Sequence, residues 1–168
     1  MFSAITAGLR ITNWLNWIAA ALLMGFLAVL LLDPGGLKAQ ILSGYDDKAA
    51  RDAVQTYLFA ILAIVPPTAI AVHYILPRLA ALVRDAAAGA AFSLINADRL
   101  RTIGWAVLAI NIADLAYGWL SIRTSDATGE YFGWSLSLTG WIAVPMLFVL
   151  AHVFREGTAM REDLEGTV

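Results

Sequence analysis

The sequence predicts an all-α integral-membrane protein, a four-helix bundle with an amphipathic connector on its cytoplasmic side. Three observations carry this. The chain of 168 residues is 60% hydrophobic and only 14% charged, with a mean hydropathy of +0.73, too apolar to cover a soluble core of this size. Its apolar residues fall in four long runs. Lysine and arginine are distributed unevenly between the segments joining those runs. The net charge of -2 argues against direct nucleic-acid binding, which calls for a basic excess. The absence of cysteine excludes disulfides, thiolate metal sites and a cysteine nucleophile.

The first span covers 11–32 and contains no charge. About 20 helical residues cross a hydrocarbon core of ~30 Å, so the run is long enough. A signal peptide competes here, since Arg10 precedes the run. Its apolar region would be only ~7–15 residues, and Trp14 and Trp17 look like an interfacial anchor. Asp33-Pro34-Gly35-Gly36 ends the helix, and Ser43 or Asp46 is the expected cap of the next. The second span, 54–76, contains Pro66-Pro67. That pair removes two donors and is expected to kink the helix, with Thr68 the nearest side chain able to compensate.

Residues 78–101 form the connector. Leu79, Leu82 and Val83 followed by Arg84 and Asp85 make it amphipathic, and it is expected to lie along the interface. Ala86–Ala91, with Gly89 inside, is expected to be a flexible joint, and Ser93 and Asn96 are candidate caps for the third helix. The third span is 103–122, the fourth 134–154 with Pro145 inside, and 155–168 is a charged tail. The whole chain is expected to be one membrane domain.

Arg10, Arg78, Arg84, Arg99, Arg101, Arg155 and Arg161 lie in the N-terminus, connector and tail. Lys38, Lys48, Arg51 and Arg123 lie in the other two loops. The positive-inside rule then puts both termini and the connector in the cytoplasm.

The residues that can carry chemistry are few. Asp114 lies inside the third span, where a charge costs roughly 2.5–3.5 kcal/mol on insertion scales. Asn111 shares its face. The pair is either a proton or ligand site of a small transporter or channel, or an interhelical tie to Asn16, Thr68 or a carbonyl freed by the prolines. His73 and His152 can reach a similar depth, and two imidazoles can ligate haem or one metal, although no haem-attachment motif accompanies them. The tryptophans are assigned to the aromatic belts. Ser43, Ser93 and Ser125 have no base at a spacing that would activate them. No cofactor and no catalytic residue is expected.

The connector AFSLINADRLRTIG and the tail HVFREGTAMREDLEGTV resemble the domain of unknown function 2975 family of small bacterial membrane proteins. Phe92, Asn96, Arg99, Leu100, Ile103 and Gly104 carry the first likeness. Phe154, Arg155, Gly157, Arg161, Asp163, Leu164, Thr167 and Val168 carry the second. The likeness covers nearly the whole chain, with Ala91 standing where the family pattern has proline. It implies a four-span protein without established enzymatic activity, often encoded beside a small cytoplasmic helix-turn-helix regulator. The expected interaction residues are therefore Asn96, Arg99, Arg101, Arg155, Arg161 and Asp163, with Arg99 and Arg101 pairing with Asp163 or Glu165 of the tail, with anionic lipid or with an acidic partner. Membrane lipid surrounds the bundle, and homo-oligomers are compatible with it.

Overall fold

The computed structural model describes residues 2–32 and 36–165, with side chains to Met160. The helix break expected at Asp33-Pro34-Gly35, the Arg161 and Asp163 side chains, and Thr167-Val168 lie outside what it describes. Five helices follow one another: α1 (Phe2–Leu32), α2 (Leu37–Leu42), α3 (Lys48–Ala87), α4 (Leu94–Thr128) and α5 (Leu138–Glu165). No strand occurs among the described residues. Four of the helices are long and apolar enough to cross a membrane. Their apolar side chains are largely uncovered by protein: Leu22 is 69% exposed, Leu32 81% and Met146 65%. Such flanks need lipid as their solvent, and the chain is a multi-pass membrane protein.

The helices run past the apolar limits. At 1.5 Å per residue, the 40 residues of α3 extend about 60 Å, roughly twice the hydrocarbon thickness. The amphipathic stretch after Arg78 is therefore not a separate interfacial element. It is the last turns of α3, which stays helical through Pro77 to Ala87. The helix also continues unbroken across Pro66-Pro67. Thr68 Oγ1 donates to the Ile64 carbonyl at 2.9 Å, one residue beyond the carbonyls that the prolines leave without N–H donors. In the first loop, α2 occupies residues expected to be irregular. Ser43 closes α2 by donating to the Gln40 carbonyl at 2.8 Å, while the Asp47 carbonyl receives the Arg51 N–H at the start of α3.

The chain divides into two compact units. The first contains 1–16, 70–111 and 137–168; the second contains 17–69 and 112–136.

In the first unit, α4 and α5 pack antiparallel. Asp98 meets Arg155, Gly104 meets Phe148, and a Cβ on Gly140 would collide with Asn111, so the paired residue numbers keep a nearly constant sum. Small residues set this seam. A Cβ on Gly104 would sit 3.3 Å from the Phe148 ring, and one on Gly157 would sit 2.9 Å from Phe92. Without a hydrophobic drive between helices in lipid, such close approach supplies the packing energy. Ala97, Leu100, Ile103 and Ala106 are buried along α4, and Val144 and Ala151 along α5.

In the second unit, Leu27, Leu30, Ala50, Val54 and Ala69 are buried. The Tyr57 and Tyr117 hydroxyls join α3 to α4 at 2.7 Å, and Tyr57 meets Phe132 edge-on at 5.1 Å. α4 ends at Gly129, whose φ of +72° and N–H donation to the Ser125 carbonyl at 2.9 Å make a left-handed cap that suits glycine.

Candidate functional site: a pinned corner and the Asp114 carboxylate

The corner between α3 and α4 is built around Asn96. Gly89 adopts φ +74°, the Ala90 N–H reaches the Asp85 carbonyl at 2.9 Å, and the Gly89 N–H reaches that of Ala86 at 3.1 Å. These two bonds form a Schellman motif that satisfies the last carbonyls of α3. Ser93 caps α4, its Oγ accepting the Asn96 N–H at 3.2 Å. Asn96 itself is fully buried. Its Nδ2 donates to the carbonyls of Ala90 at 3.2 Å and Ala91 at 3.0 Å. Its Oδ1 accepts from Arg99 Nη1 at 2.6 Å. The same guanidinium nitrogen meets Asp85 Oδ2 at 2.5 Å.

The stretch expected to be a flexible joint is thus a closed corner, because one buried amide bridges its two free carbonyls and a salt bridge ties α3 to α4 behind it. Arg99 finds its carboxylate in Asp85 of the same hairpin. The expected tail acids Asp163 and Glu165 lie outside the described side chains.

The corner is joined to α5. Phe92 packs on Phe154 with ring centroids 5.0 Å apart and lies over Gly157. Arg155 reaches Asp98 at 3.5 Å, with both side chains more than half exposed. A pair that wet contributes little to stability, so the aromatic contact carries the attachment. Arg101 is exposed. On the same helix Leu94 and Ile95 are exposed at 53% and 64%, and Met160 near the end of α5 is exposed at 61%.

Asp114 meets a partner that the sequence did not suggest. Trp134 Nε1 donates to Asp114 Oδ1 at 3.3 Å, and the indole lies against Gly118, where a Cβ would overlap the ring. Trp134 belongs to a non-helical stretch, 129–137, that replaces the start of the expected fourth span; α5 begins only at Leu138. The stretch runs back along α4. The Phe132 N–H meets Ser125 Oγ at 2.9 Å, and two residues later Trp134 reaches Gly118. Seven helical residues rise about 10 Å, so extended backbone and the long indole together cover that distance. Such backbone is tolerated at membrane depth only against protein or water. Trp134 covers Asp114 from this side and supplies its hydrogen bond, which lowers the cost of a carboxylate there.

We expect Asp114→Asn to keep the unfolding midpoint near that of the native protein, because its amide oxygen still accepts the indole N–H. Asp114→Leu should lose about 1–3 kcal/mol, because it leaves that N–H unpaired. Thermal unfolding in detergent distinguishes the two.

Asn111 meets Gly140 on α5, and its Nδ2 is buried without a hydrogen-bond partner among the described residues. His73 Nδ1 is 3.0 Å from Asn13 Oδ1. His152 Nε2 meets Glu156 one turn along at 3.0 Å, largely exposed. No group of three or more His, Asp or Glu able to hold a metal occurs among the described residues. Ser43, Ser93 and Ser125 are all engaged in local structural bonds. At the other end of α3, Tyr45 donates to Glu130 at 2.9 Å, and that carboxylate pushes the phenol's pKa up.

The model of the family described as "Protein of unknown function (DUF2975)" matches residues 42–168. The match takes in the connector and the tail, while α1 lies outside it. No curated protein and no solved structure gives a match.

Proposed function

The chain belongs to the DUF2975 family of proteins of unknown function, and from that premise we propose a non-enzymatic role in the bacterial inner membrane, with the α3–α4 corner and the end of α5 docking a cytoplasmic protein. The observation that carries this reading is the joining of the corner to α5 through Phe92, Phe154 and Gly157. It makes one rigid platform from the two segments whose motifs stand out in the sequence. Leu94, Ile95, Met160 and Arg101 are exposed on its helices, as is the Asp98–Arg155 pair. Exposed apolar residues together with charges are the usual make-up of a protein-binding surface.

The charge distribution supports a cytoplasmic position. All seven arginines of the N-terminus, connector and tail fall in the first unit, and Lys38, Lys48, Arg51 and Arg123 fall in the second. The partner favoured by the family resemblance is a small helix-turn-helix regulator held at or released from the membrane. The protein would then act on transcription without touching nucleic acid itself. Asp114 fits this reading as a structural tie.

Affinity purification in mild detergent, with mass spectrometry of the recovered proteins, tests the proposal. A small DNA-binding protein should co-purify with the native chain and be lost from an Ile95→Glu/Arg101→Glu variant. Recovery of no cytoplasmic protein by the folded native chain would overturn it.

A further inference from the structure

Where the first turns of α1 pass the late turns of α3, the first unit contains a cavity of about 170 Å³. Its polar lining is Thr6, Arg10, Asn13 and Arg84, and its apolar lining includes Leu76 and Pro77. At roughly 30 Å³ per liquid water molecule, the space exceeds what a single bound water needs.

Two arginines face this cavity, one from each helix, and no carboxylate lines it. The described carboxylates of the unit are engaged elsewhere: Asp85 with Arg99, Asp98 with Arg155 and Glu156 with His152. Neither Arg10 nor Arg84 forms an ion pair among the described residues. Asn13 is oriented by His73 through its Oδ1, which can only accept, so its amide NH2 remains as a donor. Arg78, next along α3, is not part of the group. It donates to the Tyr74 carbonyl at 3.0 Å and lies over the Tyr74 ring at 4.7 Å.

The level of the cavity is set by the sequence. Arg10 immediately precedes the apolar run at 11–32, and Leu76-Pro77 closes the second run. The cavity therefore sits where acyl chains give way to headgroups, with apolar residues and two guanidiniums in one lining. Guanidinium binds phosphate oxygens in bidentate geometry, and basic clefts between transmembrane helices at this level recognise anionic headgroups.

We propose that the Arg10–Arg84 cavity binds the phosphate of an anionic phospholipid headgroup. The two guanidiniums clamp the phosphodiester, Thr6 and Asn13 supply further hydrogen bonds, and Leu76 and Pro77 pack against the glycerol and upper acyl chain. The attraction of each arginine to an anionic surface corresponds to about a fivefold change in affinity, or about thirtyfold for both.

The full chain in nanodiscs tests this. Discs of phosphatidylcholine alone, of phosphatidylcholine with phosphatidylglycerol, and of phosphatidylcholine with added inorganic phosphate separate headgroup from free anion. Native mass spectrometry of the released protein reads the retained lipid, and thermal unfolding reads the linked stabilisation.

Phosphatidylglycerol should be retained and should raise the midpoint, while inorganic phosphate should do neither. Arg10→Gln/Arg84→Gln should reduce retention about thirtyfold, Arg10→Lys/Arg84→Lys should keep most of it, and Lys48→Gln, an exposed position in the second unit, should leave it unchanged. Equal retention by the glutamine double variant, or an equal midpoint shift with inorganic phosphate, would overturn the proposal. The lysine variant separates lost binding from lost folding.

Discussion

Asn96→Ala is expected to lower the unfolding free energy by about 2–4 kcal/mol, the largest effect of any single polar substitution in the corner. Asn96 is fully buried and holds three partners at once: the Ala90 and Ala91 carbonyls and Arg99. Alanine leaves both carbonyls without donors inside a protein environment and removes one of the two acceptors that position the Arg99 guanidinium. The Schellman bonds at Gly89 survive, so the hairpin should still form, with a looser corner. Ser93→Ala is the internal comparison, because it removes only the helix cap and should cost about 1 kcal/mol. Thermal or denaturant unfolding in detergent measures both. A midpoint for Asn96→Ala no lower than that for Ser93→Ala would contradict the account of the corner.

Gly118→Ala should have the second largest effect. Alanine is ordinarily the better helix former, yet its Cβ would overlap the Trp134 indole. The helix backbone cannot yield, so the ring must move, and Asp114 then loses the indole N–H. Overpacking of this kind costs about 1–3 kcal/mol. A double-mutant cycle isolates the cause. In Trp134→Ala the obstacle is gone, and adding Gly118→Ala to it should be neutral or slightly stabilising. The two single losses should therefore sum to more than the double. Strict additivity would mean that Gly118 and Trp134 are not in contact.

The four membrane helices were legible in the sequence because lipid imposes a simple rule. A segment either satisfies its backbone internally over about 20 apolar residues or it does not cross. That rule locates the runs but not the helix ends. α3 continues to Ala87 and α4 to Thr128, since nothing in the polar residues beyond the runs opposes a helix until Gly89 and Gly129.

The corner was half legible. Ser93 and Asn96 are both cap residues by type, and Ser93 does cap. That Asn96 turns inward instead depends on two carbonyls six and five residues earlier, a contact that appears only once the turn has closed. Asp85 was visible as a charge within an amphipathic stretch, but its pairing with Arg99 requires the hairpin.

The surroundings of Asp114 were least legible. Trp134 looks like one more belt tryptophan, and the tie exists because the chain after Gly129 folds back along α4 instead of entering a helix at once. Ser135 and Ser137, weak helix formers that compete for backbone groups, fit that late start, but they lie inside the run expected to span. The Gly118–Trp134 fit has no sequence signature.

The docking proposal stands on the side of the membrane that the α3–α4 corner and the end of α5 occupy. The chain has no cysteine, so single cysteines report this without background. Four exposed positions suffice: Ala88 and Met160 in the first unit, and Ser43 and Asp126 in the second. Each is replaced by cysteine in turn and treated in intact cells with a membrane-impermeant maleimide. Ser43→Cys and Asp126→Cys should react at once, and Ala88→Cys and Met160→Cys only after the inner membrane is permeabilised. Labelling of Ala88→Cys or Met160→Cys in intact cells would put the corner outside and contradict the account.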